Sequence, residues 1–319
     1  MDRGTIKPVR TALFVAGSNE PELVKCPDYG ADLVVIDIEE PRTPYPEHER
    51  ERTRGLVSEF LSSAPTGPGN PLYFVRVQAI DSGRTWTDLR AVVKPALSGI
   101  VQPKIQSPID VSKMDALCEA IELETGRQPG ELMLYPIFET ANSLRLGYEI
   151  AMASPRIKYM GGAVSRFGDI HQAIGFRWTA EGRESLFLRS KLLIDARAAG
   201  VRYPISGMWG GGLHDLDGLR RWGNELRDLG YYGMMIGAAE HVEIVNEIFS
   251  PTAEEIKYWS ELDTLAAEAE RKADSGPILH GEASQGEAHV VHIAHVGSAR
   301  LNLEWARGLG MVDDSGGLR

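Results

Sequence analysis

The sequence holds only two cysteines, Cys26 and Cys118, in 319 residues. Two thiols cannot build a disulfide framework, and they lack the spacing of a structural zinc site, so a reducing, cytoplasmic setting is expected. No apolar run approaches the roughly 18 residues of a membrane span, and the opening MDRGTIKPVR has no apolar signal core. Neither membrane insertion nor secretion is expected. Positive charge is also scarce: 34 Lys and Arg face 45 Asp and Glu, and the formal charge of −11 repels a phosphate backbone. Nucleic acid is therefore not an expected partner. Repeats and low-complexity tracts are missing too. What remains is 43% apolar and 8% aromatic residues, enough for the core of a globular protein.

Short β-rich runs bounded by Gly, Pro or Asp alternate with helical segments up to about residue 250. Strands are predicted at Thr11–Gly17, Leu33–Glu40, Tyr73–Ala79, Gly99–Lys104, Leu132–Glu139, Ile157–Gly162, Tyr203–Met208 and Gly233–Gly237. Helices are predicted between them at Pro21–Tyr29, Glu47–Leu61, Trp86–Leu97, Pro108–Thr125, Ser143–Ala153, Ser185–Ala199 and His214–Leu229, with His241–Phe249 after the last strand. Gly30, Gly200 and Gly230 stand where left-handed C-caps belong. Near-continuous apolar strands such as LVVIDI imply a parallel sheet covered by helices, and eight βα units are the number that closes a barrel. The expected fold is α/β, a (β/α)8 TIM barrel over residues 1–250; an open doubly wound sheet is the alternative. Residues 251–319 are expected to form a helical extension packing on a neighbouring subunit: a helix to about Ala273, a polar stretch, and an amphipathic segment over Val290–Arg307.

In such a barrel chemistry sits where strands end. Strand two ends in Asp37-Ile-Glu39-Glu40, strand three carries Arg76, strand four ends at Lys104, strand five at Glu139, and Asp169 follows strand six. One such charge alone is usually a helix cap or a solvated loop residue; convergence from five strands points to a site. Glu139 and Asp169, with no Cys or His beside them, offer the hard-oxygen environment of Mg²⁺, with Mn²⁺ as a substitute. Arg76 then holds a substrate carboxylate or opposes charge on an enolate oxygen, the alternative being a structural ion pair with Asp37 or Glu39. His289, His292 and His295 share one helical face if that segment is a helix, a pattern of subunit contacts more often than of zinc. Trp209-Gly210-Gly211-Gly212 lacks P-loop and GxGxxG spacing, and Ser165 is in no GxSxG elbow.

These residues carry a family resemblance. Arg10-Thr-Ala-Leu-Phe-Val-Ala-Gly17-Ser-Asn19 resembles the RSxLFVPGxN opening of the citrate lyase beta subunit and malyl-CoA lyase superfamily, the HpcH/HpaI aldolase family. Ala31-Asp-Leu-Val-Val-Ile-Asp37-Ile-Glu39-Glu40 resembles its GADxVxLDLED strand, Val75-Arg76-Val77 its VRVN, Gly99-Ile-Val-Gln-Pro103-Lys104 its GIxLPK and Pro136-Ile-Phe-Glu139-Thr140-Ala141 its PxIETA. Asp169 through Gly175, Arg189 through Gly200 and Ile244 through Pro251 match three further motifs in the family's order. The resemblance implies a barrel enzyme, usually a homotrimer or hexamer, that cleaves a 3-hydroxyacyl-CoA such as malyl-, citramalyl- or citryl-CoA into an acyl-CoA and a 2-oxo acid. It implies Glu139 and Asp169 as magnesium ligands, Arg76 with Asp37 and Glu39 in catalysis, and Arg10, Lys104 and Gly162 as substrate or CoA contacts.

The chain also departs from the pattern. Gln78 replaces the Asn of VRVN, Ala16 the Pro of FVPG, and Ile236-Gly237-Ala238 stands where the family has an IHP turn. The stretch GGAVSRFGD before Asp169 is longer than the usual GAED, so Ser165 is the alternative occupant of the acidic position. Near the tail the family's GxMID aligns with Val291-His292, so either His292 supplies an acid or base to a neighbouring site or no residue does. The competing expectations are an aldolase on free 4-hydroxy-2-oxo acids, disfavoured because Glu40 replaces the His of DxEH, and a thioesterase or scaffold that keeps the barrel.

Overall fold

The computed structural model describes residues 3–4, 6–39, 45–272, 278–281 and 289–313. Glu40 lies outside the described residues. The chain divides into two compact units, one of Met1–Thr5 with Val9–Phe249 and one of Ile6–Pro8 with Ser250–Arg319.

In the first unit the strands are β1 (Thr11–Ala16), β2 (Leu33–Asp37), β3 (Leu72–Arg76), β4 (Leu97–Gln102), β5 (Met133–Phe138), β6 (Gly161–Gly162), β7 (Ile205–Ser206) and β8 (Gly233–Ile236). All pair in parallel in the order β6-β5-β4-β3-β2-β1-β8-β7. The Ile205 amide donates to the Met160 carbonyl at 3.0 Å, joining β7 to the start of β6. The pairing of β1 with both β2 and β8 is what an open doubly wound sheet lacks, and the fold is a (β/α)8 barrel with further C-terminal helices.

Period two sets what each strand residue faces. Leu13, Val15, Val34, Ile36, Tyr73, Val75, Leu134 and Ile236 join the buried cluster shared with the helices. The residues one step out of phase, Ala12, Leu33, Val35, Phe74, Val101 and Tyr135, are equally buried and fill the barrel axis. There the Phe74, Tyr135 and Tyr159 rings meet at tilted or edge angles with centroids 5.8–6.4 Å apart. The layer makes the interior a packed core, not a pore.

The helices are α1 (Glu20–Lys25), α2 (Glu47–Ser63), α3 (Thr85–Val92), α4 (Pro108–Thr125), α5 (Ala141–Arg145), α6 (Gly147–Met152), α7 (Asp169–Ile174), α8 (Leu186–Ala198), α9 (Leu216–Leu229) and α10 (Val242–Ile248). Gly30, Gly200 and Gly230 have the positive φ their cap positions require. Two differences from the sequence reading stand out. The sixth and seventh strands are only two residues long, with Ile157 making an isolated bridge to Leu134 before the chain re-enters the sheet at Gly161. A helix that the sequence reading did not include, α7, follows the Gly-rich stretch after β6, and Asp169 opens it.

The second unit contains α11 (Ala253–Lys272), β9 (Ile278–His280), β10 (His289–Val291) and α12 (Ile293–Gly308). Leu262 and Ala266 pack with Val296 and Ala299, and the Trp259 and Trp305 rings lie 6.3 Å apart. The antiparallel β9–β10 ladder is a correction: the sequence placed a loop before an amphipathic segment starting at Val290. Val290 and Val291 instead oppose Leu279 and Ile278, β-branched and apolar pairs that fit a ladder. His289 therefore belongs to β10 and His292 caps α12, so the three histidines share no helix face. Among the described residues no helix is long and apolar enough to cross a membrane.

Candidate active site

Asp37, Arg76 and Glu139 each stand two residues beyond a buried residue, Val35, Phe74 and Ile137, that faces the barrel axis, so the alternation carries them to the mouth. Asp37 and Arg76 are register partners, and the guanidinium clamps the carboxylate through Nε at 2.9 Å and Nη2 at 2.6 Å. Its remaining nitrogen lies 3.2 Å from Glu39, and its plane sits 5.3 Å above the Phe14 ring. Burial alone would lower the Arg76 pKa, but the Asp37 hydrogen bonds and the charges of Asp37, Glu39 and Glu139 outweigh it, and the net shift is upward. Arg76 is a fixed positive charge.

Lys104 follows β4 with φ +52, a left-handed conformation costly for a side chain with a Cβ. The turn aims its amide at Glu139 Oε1, 2.8 Å away, while its Nζ lies 2.7 Å from Glu39 and 3.9 Å from Asp169. Burial works against the ammonium, and Glu39 first, then Asp169 and Glu139, raise its pKa overall. Glu139 responds in the opposite way. It is only 9% exposed. Burial pushes its pKa up to about 7 and the charges of Glu39 and Asp169 add to that, against the Lys104 amide and Arg76.

The segment between β6 and α7 delivers Asp169. Gly162 has φ +116, and a Cβ there would lie 2.7 Å from the Phe138 carbonyl oxygen, so glycine is required. Ala163 and Phe167 also carry positive φ. Arg166 stacks between the Phe167 and Trp178 rings at 4.7 and 5.2 Å and donates to the Gly210 carbonyl at 3.3 Å, which ties the segment to the loop after β7. Asp169 then opens α7, where a carboxylate suits the helix dipole, within reach of Lys104.

Glu39, Arg76, Lys104, Glu139 and Asp169 line a cavity of about 400 Å³, together with Phe14, Ile137, Met208, Met235 and Ser165, and Asp37 stands behind Arg76. A second recess of about 480 Å³ shares Lys104, Glu139 and Asp169 and continues past Gln106 and Asn142. At the centre, among the described residues, four carboxylates, Asp37, Glu39, Glu139 and Asp169, face two cations, Arg76 and Lys104. An excess of two negative charges in a half-buried site is unfavourable unless a cation or a proton offsets it. Oxygen-only donors numbering two carboxylates suit Mg²⁺, which keeps several waters and needs no all-protein cage. Among the described residues no three His, Cys, Asp or Glu side chains are gathered as a ready metal cluster. The donor set thus fits an ion completed by water or substrate oxygens.

The sequence model of the HpcH/HpaI aldolase/citrate lyase family matches residues 10–239. The chain belongs to this family. As an HpcH/HpaI-family protein it is an enzyme of the carbon–carbon lyase type. It is 27% identical to the citrate lyase subunit beta of Leuconostoc mesenteroides subsp. cremoris over 273 residues, 86% of this chain and 87% of that one. It is 26% identical to a (3S)-malyl-CoA thioesterase of Cereibacter sphaeroides over 302 residues, 95% of this chain and 96% of the relative. Among solved structures, a citrate lyase from Burkholderia xenovorans superposes with a TM-score of 0.77 at 18% identity, covering 99% of this chain and 98% of that chain. CitE from Mycobacterium tuberculosis, solved with magnesium, acetoacetate and coenzyme A, gives 0.68 at 19% identity and covers 97% of this chain and 100% of that one. At these identities the structures testify to the shared fold.

Within the HpcH/HpaI barrel, Asp37, Glu39, Arg76, Lys104, Glu139, Gly162 and Asp169 lie together at the strand ends. Asp169 reaches Lys104 across the longer glycine-rich stretch, and Ser165 lines the same cavity beside it. Arg10 is a correction. It precedes β1, at the opposite end of a strand that rises roughly 3.3 Å per residue, and its guanidinium is bound to Asp32 at 2.8 and 2.9 Å. Its place is the stability face. His292 stands in the second unit as the cap of α12, with its ring 5.5 Å from that of His295. Phe14, Met208 and Met235 were missed, because an apolar residue on a strand carries no sign of whether helix, axis or cavity lies before it. Phe14 and Met235 did have a signal: alternation puts Phe14 in phase with Ala12 and Met235 out of phase with Met234 and Ile236, on the axis side.

Proposed function

We propose that this enzyme uses Mg²⁺ to cleave or form a 3-hydroxyacyl-CoA, yielding an acyl-CoA and a 2-oxo acid. The observation that carries this reading is the excess of carboxylate around Glu139, whose pKa is raised first by burial and then by the charges of Glu39 and Asp169, the setting in which a cation is welcome. Glu139 and Asp169 would hold the metal, which when bound polarises the substrate oxygens it touches. Arg76, kept charged and oriented by Asp37, faces the oxygen on which negative charge grows as the carbon–carbon bond breaks. The hydroxyl proton leaves as that oxygen becomes a carbonyl, the bonding pair passes to the acyl α-carbon, and one proton returns there. Lys104 positions Glu139 through its amide and Glu39 through its ammonium. The whole-length likeness to a (3S)-malyl-CoA thioesterase favours one second reading, hydrolysis of the thioester on the same ligands.

The test is a mass-spectrometric assay with Mg²⁺ against malyl-, citramalyl- and citryl-CoA and free 4-hydroxy-2-oxo acids, with Glu139→Gln as control. Release of a shorter acyl-CoA and a 2-oxo acid by wild type alone is the expected result. Free hydroxy acyl product without oxo acid identifies the thioesterase, and turnover of the free acids alone identifies an aldolase.

A further inference from the structure

The cavity is two-sided in a way the bond cleavage does not require. β2, β3, β4 and β5 are consecutive in the sheet, and their ends supply Glu39, Arg76, Lys104 and Glu139. β1, β8 and β7 are also consecutive, and they or the residues after them supply Phe14, Met235 and Met208, with Ile137 one layer deeper on β5. Charge therefore dominates one half of the mouth and apolar surface the other, with Arg76 over the Phe14 ring at the boundary. Both cations of the charged half are engaged, Arg76 by Asp37 and Glu39 and Lys104 by Glu39 and Asp169.

We propose that the Phe14–Met208–Met235 half is a subsite for an apolar substituent of the substrate's oxo-acid portion. The preferred product is then a monocarboxylic 2-oxo acid bearing a short alkyl or aryl group, not a dicarboxylic one. This rests on the function proposed above and narrows its substrate class. The cavity of about 400 Å³ is far roomier than the roughly 10–15 Å³ that admits a single water, which leaves space for a substituent beyond a three-carbon oxo acid. A second carboxylate directed at two methionines and a phenylalanine would shed hydration without gaining a partner. An alkyl group there sheds unfavourable hydration instead, and each buried methylene strengthens binding by roughly fourfold. Unbranched methionine side chains also adapt to substituents of differing shape.

The experiment is calorimetric binding of 2-oxo acids to the full chain with Mg²⁺ present, using pyruvate, 2-oxobutyrate, 4-methyl-2-oxopentanoate, phenylpyruvate and oxaloacetate. The expected result is an affinity that rises about threefold to fourfold for each added methylene, with oxaloacetate no tighter than pyruvate. Met208→Ser, at a partly exposed position, should shrink the 2-oxobutyrate to pyruvate ratio, and Met235→Thr should shrink it further. A flat series, a tightest fit for oxaloacetate, or a ratio indifferent to Met208→Ser overturns the subsite while leaving the lyase reading standing. Failure of every oxo acid to bind with Mg²⁺ overturns the lyase reading and the subsite with it.

Discussion

The two ends of the barrel treat charge in opposite ways. At the N-terminal face Arg156 is 6% exposed and Glu122 fully buried, joined at 2.6 and 2.7 Å, with Asp115 on the third guanidinium nitrogen. Glu122 also accepts from the Gly130 and Leu132 amides, and Arg10 is bidentate on Asp32. Arg3 is buried as well, its donors spent on the carbonyls of Ala151, Ser154, Ile157 and Ala199. Each of these buried charges is met, Arg156 and Arg10 by carboxylates and Arg3 by carbonyls. The centre of the C-terminal face holds, among the described residues, four carboxylates against two cations, and Glu139 there is pushed up to about 7. One end spends charge on stability; the other keeps an imbalance that a ligand must relieve.

The sharpest way to break this comparison is to remove one group from each end. Glu139→Gln should cost turnover on the order of a thousandfold or more and leave the fold intact. Arg156→Met should do the reverse: about 3–5 kcal/mol of stability is lost because Glu122 is left buried and uncompensated, while turnover per folded molecule stays. Urea unfolding alongside initial rates separates the two. A Glu139→Gln protein that turns over normally, or an Arg156→Met protein as stable as wild type, would dissolve the distinction.

The pH dependence sharpens it further. Burial raises the Glu122 pKa, but Arg156 and the two amides more than reverse that, so its folded value is depressed. Its stabilisation is present above the unfolded carboxyl value and is lost as the pH falls through the folded one. Glu139 has the other sign: its folded value is about 7 against an ordinary 4.5. No penalty exists below the ordinary value; it grows between the two and is complete above about 7, reaching at most about 3 kcal/mol. Without divalent cation, Glu139→Gln should therefore be more stable than wild type at pH 8 and equal at pH 4. Saturating Mg²⁺ should abolish the difference by stabilising the wild type. Equal melting temperatures at pH 8 without the metal would show that Glu139 carries no such burden.

The smallest effect is expected at Gly162. An alanine there meets a left-handed backbone and the Phe138 carbonyl, costing about 1–3 kcal/mol, and should weaken Mg²⁺ binding by displacing the loop that bears Asp169. Unchanged affinity for Mg²⁺ would detach the loop from the metal.

Most of the strand-end chemistry was legible because charge closing an apolar run is a local pattern, and Asp37, Arg76, Lys104 and Glu139 all show it. Asp169 was also read from its place after strand six, but its reach into the site was not legible, since it depends on a longer stretch held by positive-φ residues and by Arg166 stacked between two rings. The β9–β10 ladder was not legible, as three-residue strands give too short a pattern to stand against a neighbouring amphipathic helix. Arg189 and Arg10 both sit in family-like motifs. Arg189 is fully buried against Trp222 at 4.6 Å with Glu225 and Gly182 as partners, a structural post.

By itself, then, the sequence determined the eight βα units, the parallel order they impose and the charged strand ends, because period, capping and strand termination are written in neighbouring residues. Tertiary structure decided which charges meet, how unequal they are and what stands opposite them. Those quantities depend on distances between strands far apart in the chain, and on burial, which shifted Glu139 but no local pattern encodes.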